Sequence, residues 1–144
     1  MNPINHQLAQ AYFSAVSAGE LPDSLLTPDM TAWTTTQGVI DKAQYQKMIR
    51  LLASVCEQPI AFTIQSLTAQ EDRVVAEARS AATLINGQQY RNNYIFVFRI
   101  RDDRISSIAE HFNPLIVNEQ LMPAINMFLA RAQQEAPIAE VRNK

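Results

Sequence analysis

The chain has 144 residues, 47% hydrophobic and 18% charged, which suits one soluble domain with a sizeable core and excludes a disordered chain. Twelve Lys and Arg against fourteen Asp and Glu leave a formal charge of -2, so nucleic acid and anionic lipid surfaces are not expected partners. No stretch approaches the roughly 20 apolar residues of a membrane span, and a single cysteine, Cys56, permits no intrachain disulfide and points to a cytoplasmic home.

The first residues show no basic region followed by an apolar run, the pattern of a secretory signal. Over 5–18 the apolar positions Leu8, Ala9, Tyr12, Phe13 and Val16 recur at helical spacing, and Gly19 and Pro22 end the helix. A single turn is expected over 22–26. The threonine-rich stretch 30–36, which holds the only tryptophan, Trp33, reads as a short strand. Gly38 breaks it, and Asp41 stands where an N-cap would open a second helix with Tyr45, Met48, Ile49, Leu52 and Val55 on one face. Pro59 closes that helix.

Beyond Pro59 the period changes to two, and 60–68, 73–85, 89–101 and 104–112 read as successive strands. Their turns are 70–72, Asn86-Gly87 and Asp102-Asp103; Asn-Gly is the stronger signal for a two-residue hairpin, Asp-Asp the weaker. Pro114 opens a last helix that Pro123 kinks or ends, and the polar tail 131–144 reads as frayed. The order predicts one α+β domain over 1–144, in which a curved antiparallel sheet wraps over N-terminal helices and leaves a pocket beneath.

The aromatic row Tyr90, Tyr94, Phe96 and Phe98 runs into Asp102-Asp103-Arg104-Ile105, and Ile108-Ala109-Glu110-His111-Phe112-Asn113-Pro114 follows. This stretch resembles the C-terminal half of SnoaL-like proteins of the superfamily of nuclear transport factor 2 and ketosteroid isomerase. The upstream order of helix, Trp33 strand, Gly38 and the helix opening at Asp41 agrees, and the resemblance covers about residues 5–122. The resemblance implies a cone-shaped fold, a small-molecule pocket, frequent homodimers and chemistry without a cofactor. Two departures stand out: Asp103 replaces the usual hairpin glycine, and Asn113 replaces a frequent Asp, removing one candidate acid or base. Limonene epoxide hydrolases of the same superfamily use an Arg-x-Asp pair and a second Asp on the last strand. Glu77-Ala78-Arg79 with Glu110 is similar in layout, with the signs of the pair reversed.

If Asn86-Gly87 and Asp102-Asp103 are both two-residue turns, Glu77 lies opposite Phe96, Arg79 opposite Tyr94, and Tyr94 opposite His111. One face then holds Glu77, Arg79, Tyr90, Asn92, Tyr94, Phe96, Phe98, His111 and Asn113. The other holds Val74, Ala76, Ala78, Ile95, Val97, Ile108, Glu110 and Phe112. A bulge in either hairpin exchanges the faces beyond it. The candidates for acid, base and orientation are Glu77, Arg79, Tyr94, Glu110 and His111; those for lining a substrate are Trp33, Tyr90, Asn92, Phe96 and Asn113. Each also has a plain structural reading, as an ion pair, a core aromatic or a strand-end amide. His6, His111 and Cys56 form no metal-ligand pattern, so no metal is expected. Three functions stay open: a cofactor-free isomerase, cyclase or hydrolase acting on a small apolar carbonyl, enol or epoxide; a ligand binder with the same pocket; or a dimeric interaction module.

Overall fold

Apolar residues at every third and fourth position wind the start of the chain into α1 (Pro3–Ala18), burying Ala9, Tyr12, Phe13 and Val16. The structure, a computed structural model, describes residues 3–142 and the side chains of residues 4–135. After a 3-10 turn at Asp23–Leu25 come β1 (Leu26–Thr34), which starts four residues earlier than 30–36, and β2 (Gly38–Asp41), a short strand the sequence reading did not separate. α2 (Lys42–Ser54) opens at Asp41 as expected. The Asp41 carboxylate accepts from the Gln44 amide at 2.8 Å and the Gln44 side chain accepts from the Asp41 amide at 3.3 Å, a reciprocal cap.

β3 (Ala61–Gln70), β4 (Arg73–Thr83), β5 (Gln89–Arg101) and β6 (Arg104–Phe112) form the expected meander. The six-stranded sheet runs β2-β1-β6-β5-β4-β3, and β1 lies parallel to β6, so the curved sheet expected to be antiparallel is mixed. α1 lies across β3 and β4, and α2 across β1. Under the sheet Tyr12 and Phe13 pack edge-on to Phe98 and Phe96, which stack on each other at 5.7 Å.

Two local features overturn the expected faces. At Asn86-Gly87 only Gly87 has a positive φ, of 84°. Leu84 donates its amide to the Gln88 carbonyl at 2.9 Å, closing a three-residue loop, 85–87, in place of a two-residue one. The register moves by one, Phe96 faces Ala76, and Glu77 and Arg79 go to the outer face. Asp102 and Asp103, at φ 54° and 57°, do make the two-residue turn. Two pairs further on Ser106 bulges out, its neighbour Ser107 facing Arg99 while Ile105 faces Ile100, and from there His111 points outward and Glu110 inward. The concave face therefore joins Val74, Ala76 and Ala78 to the β5 aromatics and to Glu110.

Asn113 caps a single helical turn, α3 (Pro114–Ile116), through its side chain and the Leu115 amide at 3.0 Å. A wide π-turn at Val117–Leu121 leads into α4 (Met122–Arg142). Pro123 does not end the helix. It sits in the first turn of α4, and the widened turn before it takes up the ring's clash with the preceding turn. The stretch expected to fray is helical to Arg142; Asn143 and Lys144 lie outside the described residues.

Gly19 ends α1 at φ 87°, and a Cβ there would lie 2.8 Å from the Ala53 Cβ of α2. Gly19→Ala is expected to lower stability by about 1–3 kcal/mol, read as a lower urea midpoint at unchanged slope.

Candidate functional site

Beneath the curve of the sheet lies a cavity of about 200 Å³. Phe62, Tyr90, Tyr94, Phe96 and Phe112 line it from the sheet; Met48 and Leu52 come from α2, and Val117, Leu121 and Ile125 from the C-terminal segment. Glu110 enters this apolar space from β6, 8% exposed, between Ile108 and Phe112 on the same face.

Two helices bring it partners. Tyr45 of α2 donates its hydroxyl to Glu110 Oε1 at 2.8 Å, and the Tyr12 hydroxyl of α1 is bonded to that of Tyr45 and reaches the same carboxyl. Burial raises the Glu110 pKa from 4.5 to about 7, against the pull of the hydrogen bonds from Tyr45 and Tyr12, which favour the charged form. Burial first, and the Glu110 charge second, hold the Tyr12 and Tyr45 hydroxyls well above the ordinary tyrosine range, so both remain donors at neutral pH.

A second polar chain runs along the sheet. Asn92 Oδ1 accepts from the amides of Asn93 at 2.8 Å and Asn113 at 3.2 Å, which fixes its amide orientation. Its Nδ2 then donates to the Tyr90 hydroxyl at 3.1 Å; Tyr90 is 2.9 Å from the Tyr94 hydroxyl, and Tyr94 is 3.0 Å from Ser80 Oγ. Asn92 Nδ2 is the donor to Tyr90, and the Tyr90, Tyr94 and Ser80 hydroxyls continue the chain as groups that can each donate or accept.

Of the residues singled out in the sequence, Tyr90, Tyr94, Phe96 and Glu110 meet at the cavity, and Asn92 stands behind Tyr90. The others do not reach it. Glu77 is exposed on the outer face and accepts from the Ser66 hydroxyl, and Arg79 is exposed two residues on. His111 is exposed and tilted against Trp33, ring centroids 4.6 Å apart, so Trp33 also belongs to the outer face. Asn113 is exposed; its side chain accepts from the Leu115 amide, and its own backbone amide donates to Asn92 Oδ1. Sequence reasoning placed Tyr12 and Tyr45 on apolar helix faces without assigning them to the site. Their signal was that a buried tyrosine hydroxyl needs a partner, and Glu110, alone among Ile108 and Phe112, needed donors.

Among the described residues no group of His, Cys, Asp and Glu is arranged to hold a metal ion, and no helix is long and apolar enough to cross a membrane.

The family model of the SnoaL-like domain matches residues 9–108, and the chain belongs to that family. No curated protein matches the chain. Among solved structures, PrhC from Penicillium brasilianum superposes with a TM-score of 0.75 at 17% identity, covering 89% of this chain and 91% of its own. An NTF2-like protein from Anabaena variabilis gives 0.69 at 24% identity, covering 77% and 87%. An epoxide hydrolase of M. tuberculosis, described as LEH-like, gives 0.67 at 14%, covering 90% and 97%. At these identities the likeness is one of fold, and this fold hosts many chemistries.

Between pH 4.5 and about 7 the unfolded chain has an ionised Glu110 while the folded chain keeps the proton. The folded state then binds more protons, so this group's contribution to stability falls as pH rises through that window and is constant above it. The lowered carboxyls of Asp23, hydrogen-bonded to Gln46 and Lys42, and Asp29, bonded to Arg101, act only in more acid solution. Glu110→Gln is expected to flatten the fall of Tm between pH 5 and pH 8; an unchanged slope counts against the buried carboxyl.

Proposed function

Starting from that family membership, we propose that the chain holds a small, largely apolar molecule beneath its sheet and that Glu110 exchanges a proton with it. The observation that carries this reading is a buried carboxyl, alone in charge among the described residues lining a largely apolar cavity, whose pKa of about 7 suits both taking and returning a proton at neutral pH. With a carbonyl compound, the Glu110 carboxylate takes a proton from the carbon beside the carbonyl. The C–H electron pair forms a C=C bond as the C=O π pair moves to the oxygen, giving an enolate, and the new carboxylic acid returns the proton to the same or a conjugated carbon as those pairs move back. Tyr12, which stays protonated and donates to Tyr45, and Tyr45, which donates to Glu110 Oε1, together steady the carboxylate between transfers. Tyr94 and Phe96 hold the apolar body; Tyr90 and Asn92 brace Tyr94.

The earlier alternative of a binder without turnover draws support from one observation. Glu110 is the sole Asp, Glu, Lys, Arg or His among the described residues lining the cavity. Deuterium uptake separates the two readings. With 2-cyclohexenone in D2O followed by NMR, the protein is expected to speed exchange at the acidic carbons, rising with pH through about 7. Glu110→Gln is expected to lower the rate 100-fold or more, and Tyr45→Phe, which removes a donor from the carboxylate, to move the midpoint upward. Exchange as fast in Glu110→Gln as in the parent leaves only the binder.

We also propose a cytoplasmic homodimer. The supporting feature is the outer sheet face, where Trp33, Val39 and Ile95 are 36%, 72% and 40% exposed, an apolar strip of the kind subunits cover. Ile95→Glu is expected to halve the sedimenting mass at micromolar concentration; a parent that already sediments as a monomer refutes the pairing.

A further inference from the structure

The size and lining of the cavity say more about its occupant than the proton chemistry does. Apolar cavities of about 150 Å³ admit benzene. At about 200 Å³ this one has room for a ring with a few substituents, and drug-sized or fused-ring molecules need pockets above about 300 Å³. The walls are largely aromatic and aliphatic. On one side stand the rings of Phe62, Tyr94, Phe96 and Phe112; on the other are the flexible or branched side chains of Met48 and Leu121.

Charge narrows the choice further. No Lys, Arg or His among the described residues lines the cavity, so an anionic ligand would be buried without a counter-charge, beside a carboxyl. A cationic ligand would meet one carboxylate already held by Tyr45, and burying that pair costs more hydration than one contact returns. Opening an epoxide with water calls for a base at the water and an acid at the ring oxygen together. A lone carboxyl serves better where one proton leaves and comes back.

We propose that the occupant is an uncharged single-ring ketone of about ten non-hydrogen atoms, bound with its enolisable carbon at Glu110. This rests on the reading of Glu110 given above and adds the size, charge and functional group of the ligand.

Calorimetry on the full chain tests it with four probes: 2-cyclohexenone, carvone, a tetracyclic steroid enone, and benzoate. The two single-ring ketones are expected to bind at least 100-fold more tightly than the steroid enone or benzoate. Leu121→Ala, which widens the space, is expected to extend binding to 2-tetralone; Met122→Ala, at a half-buried position lining the same cavity, serves the same purpose should the first variant not fold. Tighter binding of the steroid enone, tighter binding of benzoate, or silence of both single-ring ketones overturns the inference. The proton reading fails separately: Glu110→Gln still binding carvone and still exchanging its protons removes Glu110 from the chemistry and leaves the size and charge of the occupant standing.

Discussion

A carboxyl group held out of water beneath a sheet, with tyrosines from two helices turned toward it, is the constraint on which this molecule's interior is arranged. Glu110 cannot be buried without donors, and Tyr12 and Tyr45 cannot be buried without an acceptor. Each need is met by an element distant in the chain, so the three groups fix how α1 and α2 sit against β6. Removing one partner leaves the others unsatisfied in a place water does not easily reach, which costs about 1–3 kcal/mol for each polar group stranded. The contact is therefore both architecture and chemistry.

That contact exists because of a backbone irregularity. Strict alternation from the Asp102-Asp103 turn would send Glu110 to the outer face and His111 inward. Ser106 adds one residue to β6, and the inversion follows for everything after it. The same shift happens on the other side of β5, where the 85–87 loop takes three residues. Both neighbours of β5 are thus inverted together. Val74, Ala76 and Ala78 stay in company with Ile108, Glu110 and Phe112, as alternation alone groups them, and the group as a whole meets the aromatic row instead of opposing it.

This explains what the sequence made legible and what it hid. Elements were readable because each rests on local signals: helical spacing at Tyr12, Phe13 and Val16, the Asp41 cap, period two after Pro59. Faces were not, because they depend on counting residues through turns, and one miscount reverses a strand. Asn86-Gly87 carries the favoured dipeptide yet closes a longer loop, while Asp102-Asp103, the poorer one, makes the tight turn with both residues at positive φ. The bulge did leave a trace. Ile105 and Ile108 are both fully buried though three apart, which an unbroken strand cannot do. Ile64 and Leu67, both packed against the core and straddling the irregularity in β3, repeat that spacing. The β1–β6 pairing was out of reach for a different reason: it joins strands some seventy residues apart with no turn to announce it.

The inversion also sorts the polar groups by solvent. Glu77, Arg79 and His111 stand exposed on the outer face. Glu110 alone of the acidic and basic candidates is buried, and that burial raises its pKa to about 7 beside a cavity of about 200 Å³. A wider cavity would admit water, hydrate the carboxylate and draw the pKa back toward 4.5. A cavity plugged by side chains would keep the shift and leave nothing to protonate. Under the proposed reading, a space that takes a single ring keeps the carboxyl dehydrated while leaving it within reach of a ligand, so the dimension that selects the occupant also sets the acid that meets it.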